Sequence, residues 1–259
     1  MVSVKRRATA FTQPRGGFVN PRVLEVEYQR GAGPDPLDHK IENVHPSLIG
    51  MAVDYLTRLA RGTKPVDVFA VSMQGAMMLG GEAWDDAEDA LGRLKAGRVD
   101  AAAIEAALKL SSFDVAFRNS RDAYNPDAQT VPDAVTTQHV ATMVDRAQEF
   151  FRTHGPLTMD HLTFRGGYTR VVDTGDGDFL TADTLWDMKV SVTGPTSKQT
   201  LQVFMYYLMG KRSVHPEFAG VTRFGIYNPR LDTAWSIAVA SLPLDTVNVV
   251  ERDVIGYDA

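Results

Sequence analysis

The 259-residue chain carries 27 Lys and Arg against 32 Asp and Glu, for a formal net charge of -5, and is 44% hydrophobic. That composition excludes the disordered, collagen-like and membrane-embedded classes, and the length suffices for a sizeable core. With no cysteine, the chain can hold no disulfide scaffold, thiolate nucleophile or cysteine-ligated metal. The longest uncharged apolar run, Val68 to Gly81, is interrupted by Ser72 and Gln74. It falls short of the roughly 20 residues a membrane span needs. Lys5-Arg6-Arg7 is followed by Thr9, Thr12, Gln13 and Arg15 where a signal peptide would be apolar. The expected compartment is the cytoplasm. The acidic balance disfavours passive coating of nucleic acid, yet it leaves room for a nucleic-acid enzyme with a locally basic groove.

Residues 1–45, rich in Gly, Pro and charge, read as an irregular N-terminal segment with a short strand at Val23 to Tyr28. A helix is predicted from Pro46, with Ser47 as cap, Ile49, Val53, Leu56 and Ala60 as its apolar stripe, and Gly62 as its stop. Further helices are predicted between Pro65 and Tyr124. After a loop, another runs from Asp133 to Gly155. The texture then changes. Strands are predicted at Thr163–Val172, Gly177–Thr181 and Thr184–Ser191, a helix at Pro195–Gly210 capped by Thr196 or Ser197, and strands at Val221–Tyr227 and Ala234–Ala240. The expected organisation is a single domain over 46–259, mostly helical to 156 and a sheet core from 157, in the α/β class.

Chemistry concentrates in the hairpin between Asp178 and Lys189. A turn at Ala182-Asp183 pairs Thr181 with Thr184, Leu180 with Leu185, Phe179 with Trp186 and Asp178 with Asp187. Opposed residues share a face with Cβ atoms about 5 Å apart, and Lys189 projects from that face too. Two carboxylates so placed repel. A hard divalent cation between them, neutralisation by Lys189, or a different register would each relieve the repulsion, and Ala-Asp is a poor two-residue turn. An exposed Asp/Lys ladder on a solvated face is the plain alternative. Downstream, Gln202 and Tyr206 lie one helical turn apart on one face.

In order, Asp178, then Asp187-Met188-Lys189, then Gln202-Val203-Phe204-Met205-Tyr206 resemble the PD-(D/E)XK nuclease superfamily, in particular its RecB-like branch. The resemblance covers residues 157 to 240. It implies a restriction-endonuclease-like core, αβββαβ, whose mixed sheet is flanked by helices, with an inserted or preceding helical subdomain. It implies a nuclease dependent on Mg²⁺ or Mn²⁺ acting on DNA, with RNA as the alternative substrate; no membrane partner is expected. Asp178, Asp187 and the Met188 carbonyl would hold the cation. Lys189 would position the attacking water or stabilise developing charge, and Gln202 and Tyr206 would orient Lys189 or the phosphate.

That branch opens with a helix bearing Gly-X-X-X-His. Here Gly50-Met51-Ala52-Val53-Asp54 puts Asp54 at the histidine position, as a metal ligand or as half of an exposed Asp54–Arg58 pair. Glu42 and His45 are further ligand candidates, and His161 stands just before the first predicted core strand. Lys198, Lys211, Arg212, Arg223 and Arg230 are candidates for backbone phosphate contacts. The alternative is a non-cleaving nucleic-acid-binding or protein-interaction module on the same fold, active only with a partner. No phosphate loop, nucleophile elbow or dinucleotide fingerprint occurs.

Overall fold

The computed structural model describes residues 2–31 and 33–258. In chain order, helix α1 (Val4–Ala10), strand β1 (Glu25–Tyr28) and helix α2 (Pro46–Ala60) are followed by α3 (Pro65–Val68), α4 (Ala70–Leu79), α5 (Glu82–Gly92), α6 (Ala101–Ser111) and α7 (Asp114–Arg118). The long helix α8 (Ala134–His154) leads to β2 (Met159–Thr163), β3 (Asp176–Leu180) and β4 (Thr184–Met188). Then come α9 (Ser197–Lys211), β5 (Arg223–Asn228), β6 (Thr233–Ala238) and α10 (Leu244–Val249), the last running into a π-helical turn over Val250–Ile255. No helix of the described residues is long and apolar enough to cross a membrane.

The chain divides into two compact units, one of residues 1–35, 150–189 and 193–259, the other of residues 36–149 and 190–192. This differs from the expected division at 45/46 and 156/157. The N-terminal segment is no irregular lead-in. Ser3 caps α1 by accepting from Arg6 N–H, β1 pairs with β6, and Val4 N–H donates to the Thr174 carbonyl at 2.9 Å, so both elements belong to the sheet unit.

The first unit is an α/β layer with a six-stranded mixed sheet in the order β1-β6-β5-β4-β3-β2. β2, β3 and β4 form an antiparallel meander, α9 crosses over, and β5 returns parallel to β4. The predicted strand at 163–172 is largely loop, because the first core strand lies earlier and ends at Thr163. α9 is buried continuously from Thr200 to Gly210, as a helix apolar on all sides must be. Its Phe204 stacks on Phe224 at 5.3 Å between ring centroids, and Leu201, Met205 and Leu208 join Leu180, Leu185, Ile226 and Ile237 in one cluster. The opposite face is closed by the last turns of α8. There Phe150 stacks on Tyr227 at 4.0 Å and meets Trp186 edge-on at 5.0 Å. Gly225 is required there: a Cβ on it would stand 2.4 Å from the Trp186 ring and 2.7 Å from the Trp235 carbonyl.

The second unit is helical. α2 is its centre, burying Ile49, Ala52, Val53, Leu56 and Leu59. Its N-cap is His45, whose side chain accepts from Ser47 N–H, rather than Ser47 itself. Proline at the first helical position has no N–H to cap, which moves the cap one residue earlier. Gly75 of α4 lets that helix lie against the start of α7; a Cβ there would stand 2.0 Å from the Phe113 carbonyl oxygen.

Candidate active site

The site is built at the C-terminal end of β4. Within that strand Leu185 and Asp187 face α9 while Trp186 faces Phe150, as strand alternation requires. Asp187 is thereby buried, 1% exposed, beneath a helix of aromatic and aliphatic side chains. Its Oδ2 meets no hydrogen-bond donor of good geometry, and the charge set against it is the Lys189 ammonium 2.7 Å away. Lys189 follows by two residues and so rises from the same face. Its side chain is 28% exposed and keeps a path to solvent.

The hairpin register agrees with the spacing as far as it can be traced. Leu180 pairs with Leu185, Phe179 with Trp186, and Thr181 N–H donates to the Thr184 carbonyl at 2.9 Å. The ladder ends at Phe179–Trp186. Beyond it, the Asp178 carboxylate accepts from Met188 N–H at 2.5 Å. An anion bonded to a backbone N–H is stabilised, which offsets the repulsion between the two carboxylates. Asp178 is thus locked to the residue that follows Asp187. On β2, His161 takes the register position opposite Asp178, between the pairs Asp160–Phe179 and Leu162–Gly177, and its φ of 50° lies in the left-handed region.

α9 supplies the wall. Gln202 Nε2 donates to the Tyr206 hydroxyl at 2.9 Å, and both side chains are buried, as their spacing of one turn allows. The Tyr206 ring stacks on Phe164 at 5.0 Å. Burial pushes its phenol well above the ordinary range, and the negative charges of Asp187, Asp178 and Asp176 push it the same way, against the Gln202 hydrogen bond. Tyr206 therefore stays protonated at any physiological pH. Asp176 is the residue the motif comparison passed over. Its signal was its position two residues before Asp178 on the same strand.

The remaining candidates fall in both units. Asp54 is half-buried on α2 and belongs to the helical unit, whereas Asp178, Met188 and Asp187 belong to the sheet unit. Glu42 accepts or shares a proton with His139 Nδ1 at 2.9 Å, and His45 caps α2. Among the basic residues, Arg230 is only 2% exposed and reaches no external phosphate. Lys211 Nζ donates to three carbonyls at the turn after α9, those of Phe218, Ala219 and Val221. Arg212 pairs with Glu251 at 3.1 Å and stacks on Tyr257, while Arg223 pairs with Glu25 at 2.7 Å. Lys198 is exposed.

Among the described residues, no three His, Asp or Glu side chains group closely enough to cage an ion by themselves. Mg²⁺ does not ask for such a cage, since it takes one or two carboxylates and keeps several waters. The Asp178 and Asp187 carboxylates are hard oxygen donors of the kind such a cation takes, and the buried Asp187 oxygen faces only the Lys189 ammonium. No protein-family model, curated protein or solved structure matches this chain.

Proposed function

We propose that the chain is a divalent-metal-dependent nuclease of the PD-(D/E)XK type, hydrolysing phosphodiester bonds of DNA. The observation that carries this reading is the buried Asp187 paired at 2.7 Å with Lys189, with Asp178 hydrogen-bonded to the residue between them. Burying a carboxylate against a single ammonium is costly, and strongly perturbed ionisable groups of this kind cluster at functional sites. The order of elements supports the same reading. The last turns of α8, the β2–β3–β4 meander, the α9 crossover and the parallel β5 follow the restriction-endonuclease-like core αβββαβ.

In this mechanism Asp178, Asp187 and the Met188 carbonyl would hold Mg²⁺ or Mn²⁺, which when bound would acidify a water and neutralise phosphate charge. Lys189, steered by its ion pair, places an ammonium where negative charge develops on the phosphoryl oxygens. Tyr206 keeps its proton and remains a hydrogen-bond donor, with Gln202 fixing the orientation of its hydroxyl. Water oxygen bonds to phosphorus, the bond from phosphorus to the leaving sugar oxygen breaks, and that oxygen ends protonated. Few of the basic residues near the motifs are available for backbone contacts, so binding to DNA without cleavage should be weak and only shallowly salt-dependent.

The test is incubation of the purified chain with linear DNA and with RNA in Mg²⁺ or Mn²⁺. Degradation that chelation stops and that Asp187→Ala lowers by about 10³-fold or more is the expected result. Equal inactivity of wild type and variant on every substrate overturns the proposal.

A further inference from the structure

The helical unit contains a cavity of about 580 Å³ that the nuclease reading does not use. Its walls are mainly apolar, with Leu48, Met51, Val115 and Ala128 among them. Most polar groups that border it are already engaged. Ser111 and Ser112 donate to carbonyls of their own helix, those of Ala107 and Lys109, both at 2.7 Å. Asn125 Oδ1 accepts from Asp127 N–H, and Gln129 Nε2 donates to the Val131 carbonyl. Two ring or guanidinium donors also line it.

The first is Arg118. Its Nε donates to Asp114 Oδ2 at 3.2 Å, and among the described residues its fork meets no other carboxylate. Asp114 is itself fixed in the interior, 1% exposed, accepting from the Tyr55 hydroxyl at 2.5 Å and the Ser72 hydroxyl at 2.6 Å. A buried carboxylate held by two hydroxyls thus orients a half-exposed guanidinium at the cavity. The second donor is His45. Its Nδ1 is engaged by Ser47, 2.7 Å from the hydroxyl and 3.3 Å from the N–H, so Nε2 is the ring nitrogen left for a ligand.

We infer that this cavity binds a small organic monoanion with an apolar body, such as an aromatic or aliphatic carboxylate or sulfonate. The acid group would seat on Arg118 and His45 Nε2–H, and the body against the apolar wall. The volume suits a drug-sized ligand, and pockets of this kind combine apolar walls with few placed polar groups. The charge follows from the groups left over: the Asp114 charge is answered within its network by a single Nε–H of Arg118 and two hydroxyls, while the rest of the permanently charged guanidinium fork keeps N–H donors for a ligand. This site is independent of the proposed nuclease chemistry and needs no activity to be observed.

The test is a fluorescence titration of the full chain with 1-anilinonaphthalene-8-sulfonate and with the uncharged N-phenyl-1-naphthylamine. The sulfonate should saturate at one site per chain, and Arg118→Gln should weaken it about ten-fold while leaving the amine unchanged. Ala128→Trp, which fills the cavity, should weaken both. His45→Ala, at an exposed position, should weaken the sulfonate alone and stands in if an Arg118 variant fails to fold. Sulfonate affinity within two-fold of wild type in both charge variants, or binding indifferent to Ala128→Trp, overturns the inference.

Discussion

Each compact unit buries an aspartate at about 1% exposure, and the two are treated in opposite ways. Asp114 in the helical unit receives two hydroxyls and a guanidinium. Asp187 in the sheet unit has an oxygen with no hydrogen-bond donor, an ammonium beside it and two further carboxylates near enough to raise the Tyr206 pKa. The first arrangement holds α2, α4 and α7 together through side chains. The second rests on a single ion pair to a partly exposed lysine. A buried charge by itself says little; the number of donors that complete it distinguishes scaffold from chemistry.

The comparison is most directly broken by alanine at each position. Asp114→Ala should lower unfolding free energy by about 3–5 kcal/mol, because it strands the Tyr55 and Ser72 hydroxyls in the interior. Asp187→Ala should change stability by about 1 kcal/mol or less, since Lys189 can turn to solvent. Urea unfolding of both variants measures this, and similar losses in the two would show that the carboxylates do the same work.

Glycine substitutions sharpen the contrast at the level of packing. Gly75→Ala and Gly225→Ala should each destabilise by about 1–3 kcal/mol through overpacking. Gly75→Ala should be the worse, because its Cβ meets the backbone carbonyl of Phe113, whereas Gly225 meets the Trp186 ring as well as a carbonyl. Thermal unfolding midpoints order the pair, and the reverse order would mean that the Trp186 ring is less free to shift than the α4–α7 contact.

The smallest effect concerns alkaline pH. Burial raises the phenol pKa of both Tyr55 and Tyr206, with Asp114 reinforcing it at the first and Asp187 at the second. A folded-state pKa above the unfolded value means that the folded chain keeps a proton which the unfolded chain releases. The stabilisation is full below about pH 10, the ordinary phenol value, and declines as pH rises beyond it. Tyr55→Phe and Tyr206→Phe should each flatten that decline. Urea midpoints between pH 8 and 11 provide the check, and slopes unchanged from wild type would place the alkaline sensitivity elsewhere.

Much of the sheet unit was legible in order. The hairpin residues 179–186, α9 with its Thr196 cap, and the strands on either side of Asn228-Pro229 follow from alternation, capping chemistry and turn residues, which act over a few positions. In the N-terminal segment the short strand expected at Val23 to Tyr28 is found as β1 at Glu25–Tyr28, whereas α1, a single short helix among Gly, Pro and charge, carried no periodic apolar stripe to mark it in sequence. The long α9 was legible as a helix but not by its faces, being apolar all round.

The sequence by itself determined which residues can share a strand face: Asp187 with Lys189 on β4, and Gln202 with Tyr206 on α9. Those relations depend on fixed backbone periods of two and 3.6 residues. Only the tertiary structure decided that Asp178 bonds the Met188 N–H, that Arg230 and Lys211 are occupied internally, and that Asp54 belongs to the helical unit. These depend on which distant segments meet, and on how each buried charge is completed once they do. No local spacing encodes that.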